Sequence, residues 1–398
     1  MRAWITVLAL AGAFGCGRSE LAPLRRDGDG GGDGGAQDRA SERAPPDRPP
    51  CVPPPLFDIR TVSEAALVAD LKVADLNGDG WPDLVFTNLS SNMVTVVLGN
   101  GDGTFQRGAS YRAGTSPEGV AAADLDGDGI ADLAIADNAI NQVLMLAGNG
   151  DGTFRQRGTA VMTGAGPLAM VAADLDGDGS SDLAVTNFSQ DTVSVLLQRG
   201  PGMFVSGLLL DVGGHPTGLA VEDLDGDGAP DFAVVGADAG RLTIFRTLTV
   251  GYLGSRFTLP AQSLGFVVAG DWNGDGRRDL AVTDSQGAAV IAVIGRGNGL
   301  FDTPRSFAVG ALPQQIASGD FNGDGRDDLA VASFNTAAVD LLLGNGDGTF
   351  RPALAFALAD DPWALAAADL NGDGVLDLAV GGSATVSVLL GRGAGGCR

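Results

Sequence analysis

The chain of 398 residues carries 49 acidic and 25 basic side chains, a single histidine and a formal charge of −24. So acidic a surface excludes a nucleic-acid binder that works through basic patches, because phosphate would be repelled over most of it. Of the acids, 44 are Asp and five are Glu, and Gly fills 62 positions; that balance belongs to turns and metal loops and argues against a helix-rich protein.

Met1-Arg2 is a short positive start, and residues 3–14 are an apolar run of signal-core length, too short to span a bilayer. The pair Gly15-Cys16 ends it. This segment resembles a bacterial lipoprotein signal, which implies that Cys16 becomes the lipidated first residue. Gly17, standing where such a signal would carry Asp for inner-membrane retention, implies the outer membrane or cell surface. Plain secretion, or release to the periplasm, is the alternative. On either reading the chain is exported, with a lipid anchor as its only membrane contact. Residues 17–55 alternate Gly with Asp and then turn proline-rich, a composition that cannot offset the entropy of ordering. They are expected to form a solvated tether, reaching roughly 30–35 Å on average.

From residue 56 the chain is one unit repeated. A nine-residue pattern, Asp-x-Asp/Asn-Gly-Asp-Gly-x-x-Asp, begins at Asp75, Asp124, Asp174, Asp223, Asp271, Asp320 and Asp369, at intervals of 48 to 50 residues. So even a period outranks every other signal. Each unit reads as four short strands; in the second unit these are 119–125, 132–136, 142–147 and 154–162, separated by Gly, Asn and Asp clusters. The first strand is small and apolar throughout, as an innermost strand around a narrow axis must be. A second phrase, Gly-Asn-Gly-Asp-Gly-Thr-Phe, ends the third strand at Phe105, Phe154 and Phe350; weaker forms end at Phe204 and Phe301, and the fourth unit has largely lost it. The expected fold is all-β, a seven-bladed β-propeller of four-stranded antiparallel blades over residues 56–397. A Kelch-type propeller would need paired glycines and blade aromatics, and the chain holds only 2 Tyr and 4 Trp.

The ends of the chain bear on closure. The last unit stops after its third strand, 386–390, whereas Phe57 lies 18 residues before Asp75, much as Phe105, Phe154 and Phe350 lie 19 or 20 before theirs. The segment 56–63 is therefore expected to supply the missing outer strand of the last blade, leaving no open edge. Cys51 and Cys397 then flank the seam. In an exported protein a disulfide between them is the natural pairing, two free or mispaired thiols being the alternative.

The chemistry lies in the seven acidic loops. Position 1 is Asp75, Asp124, Asp174, Asp223, Asp271, Asp320 or Asp369; position 3 is Asn77, Asp126, Asp176, Asp225, Asn273, Asn322 or Asn371; position 5 is Asp79, Asp128, Asp178, Asp227, Asp275, Asp324 or Asp373. These alternate positions present side-chain oxygens to one centre. The backbone carbonyl of position 7 (Trp81, Ile130, Ser180, Ala229, Arg277, Arg326, Val375) adds another, and position 9 (Asp83, Asp132, Asp182, Asp231, Asp279, Asp328, Asp377) closes the shell. Hard oxygen donors in that number suit Ca²⁺, up to seven ions in all, and not a thiophilic metal. An EF-hand would place Glu at position 12, where this chain has strand residues such as Phe86 and Ile135. Positions 1, 3, 5 and 9 of the loops hold 24 Asp, as many as the net negative charge, and seven Ca²⁺ would bring the balance to about −10.

The paired phrases Asp-Leu-Asn-Gly-Asp-Gly-x-x-Asp-Leu and Leu-Gly-Asn-Gly-Asp-Gly-Thr-Phe resemble FG-GAP (VCBS-type) repeats, the unit of the integrin α-chain propeller. The resemblance implies calcium in the hairpin loops and a role in adhesion or ligand binding. That family fills only some blades with calcium, whereas all seven loops here keep the ligand set, and nothing about integrin ligands transfers.

In an antiparallel blade the acidic loops and the Gly-Asn-Gly-Asp-Gly-Thr turns share one face. The opposite face is built from second-to-third loops, 88–92, 137–141, 187–192, 284–287 and 333–336, and from crossovers containing Pro117, Pro216, Pro313 and Pro362. Variable residues on a rigid ring are where such folds place recognition, so this face is expected to bind an extracellular glycan or protein, with Phe188, Phe334 and Trp363 as stacking groups. Two other classes compete. A polysaccharide-active, lyase-like enzyme would need a base, yet His215 is the only His, Lys72 the only Lys, and neither has a recurring acidic partner in the sequence. A structural spacer in an envelope complex would show a stable partner and no soluble ligand.

Overall fold

The computed structural model describes residues 57–392, apart from 65, 66, 239 and 250. The signal, the tether and the three cysteines, Cys16, Cys51 and Cys397, lie outside the described residues. Seven four-stranded antiparallel sheets are formed, and the only helical element among the described residues is a short 3₁₀ turn, Phe334–Thr336. The protein is a seven-bladed β-propeller.

Blades 1 to 7 open with the strands Val68–Ala74, Pro117–Ala123, Pro167–Ala173, Pro216–Glu222, Leu264–Gly270, Pro313–Gly319 and Pro362–Ala368. Proline opens five of them, the strand position at which a missing N–H costs least. These first strands touch one another from blade to blade, the last against the first, and so line the axis of a closed ring. The second strands, such as Asp83–Asn88 and Asp132–Asp137, are buried along their whole length. Each is covered on both faces by neighbouring blades, which is why they read Asp-Leu-Val-Phe or Asp-Leu-Ala-Ile without polar alternation. One seam shows the packing: Val85, Val94 and Val96 of blade 1 meet Val120, Leu133, Ile135 and Leu146 of blade 2.

Closure follows the sequence expectation. Phe57–Glu64 is the fourth strand of blade 7, pairing with Thr385–Gly391 so that Phe57 faces Gly391, with an irregularity between Thr61 and Ser63. Phe57 also occupies the structural place of the repeat phenylalanine. Phe154 leans edge-on against Tyr111 of the preceding blade at 5.7 Å, and Phe350 against Phe307 at 5.2 Å; Phe57 does the same against Phe356 of blade 6 at 5.1 Å. The same ring contact therefore recurs at an offset of 18 residues as it does at 19 or 20.

The first strands are not small and apolar throughout, as Met170, Phe266 and Gln314 show, and blade 1 contributes a buried charged cluster. Asp70, fully buried, receives both contacts of the Lys72 ammonium at 2.7 and 2.8 Å. It also accepts the Val120 N–H of blade 2 at 2.9 Å and the Gln315 amide of blade 6 at 3.2 Å, while Gln315 Oε1 accepts the Leu365 N–H of blade 7. A single carboxylate and its amide partner thus join four blades across the closing seam.

Candidate functional site: seven carboxylate loops

Each loop is built by its own side chains. The position-1 carboxylate accepts two backbone N–H groups, from the glycines at positions 4 and 6, at 2.7–2.9 Å in all seven loops. Position 5 accepts the N–H of position 7, as Asp79 does from Trp81 at 2.8 Å and Asp128 from Ile130 at 2.9 Å. These are Asx-type bonds that hold a tight turn without any ion. They leave part of each carboxylate's lone-pair capacity for another partner.

Position 9 does something the sequence did not disclose. Its carboxylate ties the acidic loop to the end of the blade's third strand: one oxygen accepts the N–H of position 2, the other an N–H at or just beyond the last residue of the third strand. Asp83 takes Leu76 and Gly99, both at 2.8 Å; Asp279 takes Trp272 at 3.0 Å and Gly295 at 2.7 Å; the other five blades repeat the pair. In loops 2, 3 and 4 the carboxylates of positions 1, 3 and 9 (Asp124, Asp126, Asp132; Asp174, Asp176, Asp182; Asp223, Asp225, Asp231) offer oxygens within 4.8 Å of one another. The donors are all oxygen, and their convergence fits a hard divalent cation of the Ca²⁺ type.

Burial sets the protonation of position 9. Desolvation pushes Asp83, Asp132, Asp231, Asp279 and Asp377 up to about 6 and Asp328 to about 7, against the backbone hydrogen bonds that pull them down; neighbouring loop carboxylates add to the rise. A carboxyl whose folded pKa exceeds its unfolded value of 3.8 contributes stability that is complete below about pH 4 and lost as pH climbs through 6 to 7. In calcium-free buffer the melting temperature is therefore expected to be higher at pH 5.5 than at pH 7.5, and saturating calcium, which needs the carboxylates ionised, is expected to reverse that order. Scanning fluorimetry across this range checks it, and a calcium-free melting temperature that rises with pH contradicts it.

The Gly-Asn-Gly-Asp-Gly-Thr turns lie beside the loops, and their glycines have separate reasons. Gly101 has φ +74°, and a Cβ there would sit 2.3 Å from the Trp81 ring, the position-7 side chain of the same blade. Gly103 has φ +75° and would meet Leu390 of blade 7 at 2.6 Å, while its N–H donates to Leu370 O of loop 7 at 3.2 Å. The turn of one blade thus seats on the acidic loop of the blade before it, as Gly348 of blade 6 does on Trp272 O of loop 5 at 3.0 Å. Where the fourth unit has lost its turn, a cleft of about 550 Å³ opens between loop 3 and residues Leu248 and Tyr252.

On the opposite face the three aromatic residues are not free platforms. Phe334 and Trp363 pack on each other with centroids 4.3 Å apart, Phe188 lies 4.9 Å from the His215 ring, and all three are half-buried. Asn187, at the head of one of the loops read as exposed, is fully buried and spends its amide on Thr192 and Ser194. The two residues considered as catalytic bases both have acidic partners in space: Lys72 is locked against Asp70, and His215 Nδ1 lies 2.7 Å from Asp238 Oδ2.

A family model described as an FG-GAP-like repeat matches residues 75–135, 124–185, 174–234, 271–331 and 320–380, more than half of the chain. The chain belongs to the FG-GAP-like repeat family. Each matched stretch of this FG-GAP-like protein runs from one acidic loop through the next, and the gap between 234 and 271 coincides with the degenerate fourth turn. No curated protein sequence matches it. Among solved structures it is similar to BBS1N in complex with ARL6DN (15% identity, 85% of this chain and 98% of that chain, TM-score 0.61). It is also similar to a catalytically inactive virginiamycin B lyase from Staphylococcus aureus with quinupristin (13% identity, 84% and 99%, TM-score 0.57). A protein from Lactobacillus plantarum aligns at 14% identity over 76% and 88%, with TM-score 0.59. At these identities the likeness is one of fold. Among the described residues no helix is long and apolar enough to cross a membrane.

Proposed function

We propose that this FG-GAP-like protein is an exported, tethered binding module whose propeller is held in shape by calcium in its seven loops and which engages an extracellular glycan or protein through the opposite face. The observation that carries the calcium reading is the gathering of three carboxylates within 4.8 Å in loops 2, 3 and 4, on a turn whose backbone bonds repeat in every blade. Like charges so close favour a cation or a proton, and at neutral pH a divalent ion is the stronger partner. In the other four loops the Asn side-chain oxygen stands in for the third carboxylate. Calcium here stabilises structure, and the signal, the tether and the Cys51–Cys397 disulfide belong to the same reading of an exported surface protein.

Recognition is assigned to the metal-distant face because its loops vary in sequence while the frame beneath them does not. The Phe334–Trp363 pair, half-buried where blades 6 and 7 meet, is the stacking group. A glycan and envelope-protein binding array probed with the full chain, with and without calcium, identifies the ligand. Phe334→Ala with Trp363→Ala is then expected to weaken the best hit about tenfold or more, and unchanged affinity overturns the assignment of this face. A polysaccharide-cleaving activity is the second reading, favoured by the His215–Asp238 pair; new reducing or unsaturated ends on a panel of polysaccharides would establish it.

A further inference from the structure

The seven loops differ at position 3, and the difference is matched elsewhere in the fold. Where position 3 is Asp, an arginine reaches it. Arg157 pairs with Asp126, Arg246 with Asp225 at 3.2 Å, and Arg199 with Asp176 and, at 3.0 Å, with Asp178. Where position 3 is Asn, no arginine or lysine pairs with it among the described residues; Asn77 and Asn273 instead donate their amides to the position-5 carboxylates Asp79 and Asp275, at 2.9 and 3.1 Å. In loop 5 the nearby Arg277 stands 3.9 Å from Asp275, the position-5 group.

The three arginines do not share a place in the repeat. Arg157 comes from the fourth strand of blade 2, Phe154–Met162; Arg246 from the third strand of blade 4, Arg241–Thr247; and Arg199 from the connection after the third strand of blade 3. A repeat that merely copied an ancestral ion pair would carry the arginine at one position. Three different origins converging on one loop position, in each of the loops with Asp at position 3, mark a compensation tied to that charge. Two of the pairs are also partly desolvated: the Asp126 side chain is 7% exposed and that of Asp225 11%.

We propose that Arg157, Arg199 and Arg246 are resident counter-cations that cancel the position-3 carboxylate of loops 2, 3 and 4, so that positions 1, 3, 5 and 9 of these loops present to a divalent ion the net charge that the same positions carry where position 3 is Asn. The inference rests on the calcium reading above and adds two consequences to it. The arginines hold the four-carboxylate loops together when calcium is absent, and they cap the calcium affinity of those loops at the level of the Asn loops.

The test compares the full chain with the triple variant R157Q/R199Q/R246Q and with the sextuple variant that adds D126N, D176N and D225N. Calcium titration calorimetry on the triple variant is expected to show three sites tightened about three- to tenfold, as one unit charge roughly 6 Å away in a watery surround allows. Its melting temperature in calcium-free buffer is expected to fall. The sextuple variant, in which all seven loops are of the Asn type, is expected to return both quantities to those of the parent. Unchanged calcium affinity in the triple variant, or a sextuple variant that stays as unstable as the triple without calcium, overturns the proposal. Should the triple variant not fold, R199Q alone, at the most exposed pair, carries the same two readouts. A parent that takes up no calcium defeats the calcium reading only, because the calcium-free melting temperatures still decide whether the arginines compensate position 3.

Discussion

Withdrawal of calcium is expected to lower the melting temperature of the protein by on the order of 15 °C. At about ten times its dissociation constant each site contributes about 1.4 kcal/mol by mass action, and seven independent sites total on the order of 10 kcal/mol, as much as the whole stability of many domains. The structure adds a reason for the effect to be global. Every position-9 carboxylate ties its loop to the end of the blade's third strand, Asp83 to Leu76 and Gly99 for instance, and at two seams the next blade's turn seats on the loop, Gly103 on Leu370 O and Gly348 on Trp272 O. Mutual repulsion released in one loop therefore loosens the seam with its neighbour. Differential scanning calorimetry with and without a chelator at neutral pH measures this directly. A shift of only a degree or two contradicts it, as does uptake of far fewer than seven calcium ions per chain by elemental analysis.

The second large effect lies on the axis. Lys72→Met is expected to cost about 3–5 kcal/mol, the penalty for removing one partner of a buried ion pair. Burial pushes the Asp70 carboxyl up and the Lys72 ammonium down, and their direct contact opposes both. Without the ammonium, Asp70 must take a proton or remain an unpaired charge, and its bonds to Val120 of blade 2 and to Gln315 of blade 6 weaken with it. Adding Asp70→Ala to the Lys72 variant is expected to recover part of the loss, since other blades carry Gly119, Ala169 and Ala364 at the matching place. Urea unfolding of the two variants measures both numbers; a Lys72 variant within 1 kcal/mol of the parent, on the scale of an exposed pair, shows that the cluster does not hold the seam.

Together these effects describe two ways of holding a ring closed. The acidic loops are placed locally and repeatedly, one per blade, between the first and second strands on one face. The Asp70 cluster acts once, at the axis, where blades 6, 7, 1 and 2 meet. The terminal strand Phe57–Glu64 serves the same seam from outside, by backbone pairing with Thr385–Gly391 and by the Phe57 contact with blade 6.

What was legible in the sequence is what the chain writes locally and repeats. The seven Asp-x-Asp/Asn-Gly-Asp-Gly loops, the 48–50-residue period, the four strands per unit and the Phe57 offset all lie within one unit's length, where turn chemistry and strand patterning act between near neighbours. They determined the propeller, the number of blades and the way the ring closes. The tertiary structure alone decided which groups meet across blades. Asp70 and Gln315 are 245 residues apart, and the Val120 N–H that Asp70 also accepts comes from the next blade, 50 residues on. The aromatic pair Phe334–Trp363, which joins blades 6 and 7, belongs to the same class. A repeat fixes the unit through local physics. The contacts between units depend on substitutions that break the repeat, and those acquire meaning only once the ring has placed their partners beside them.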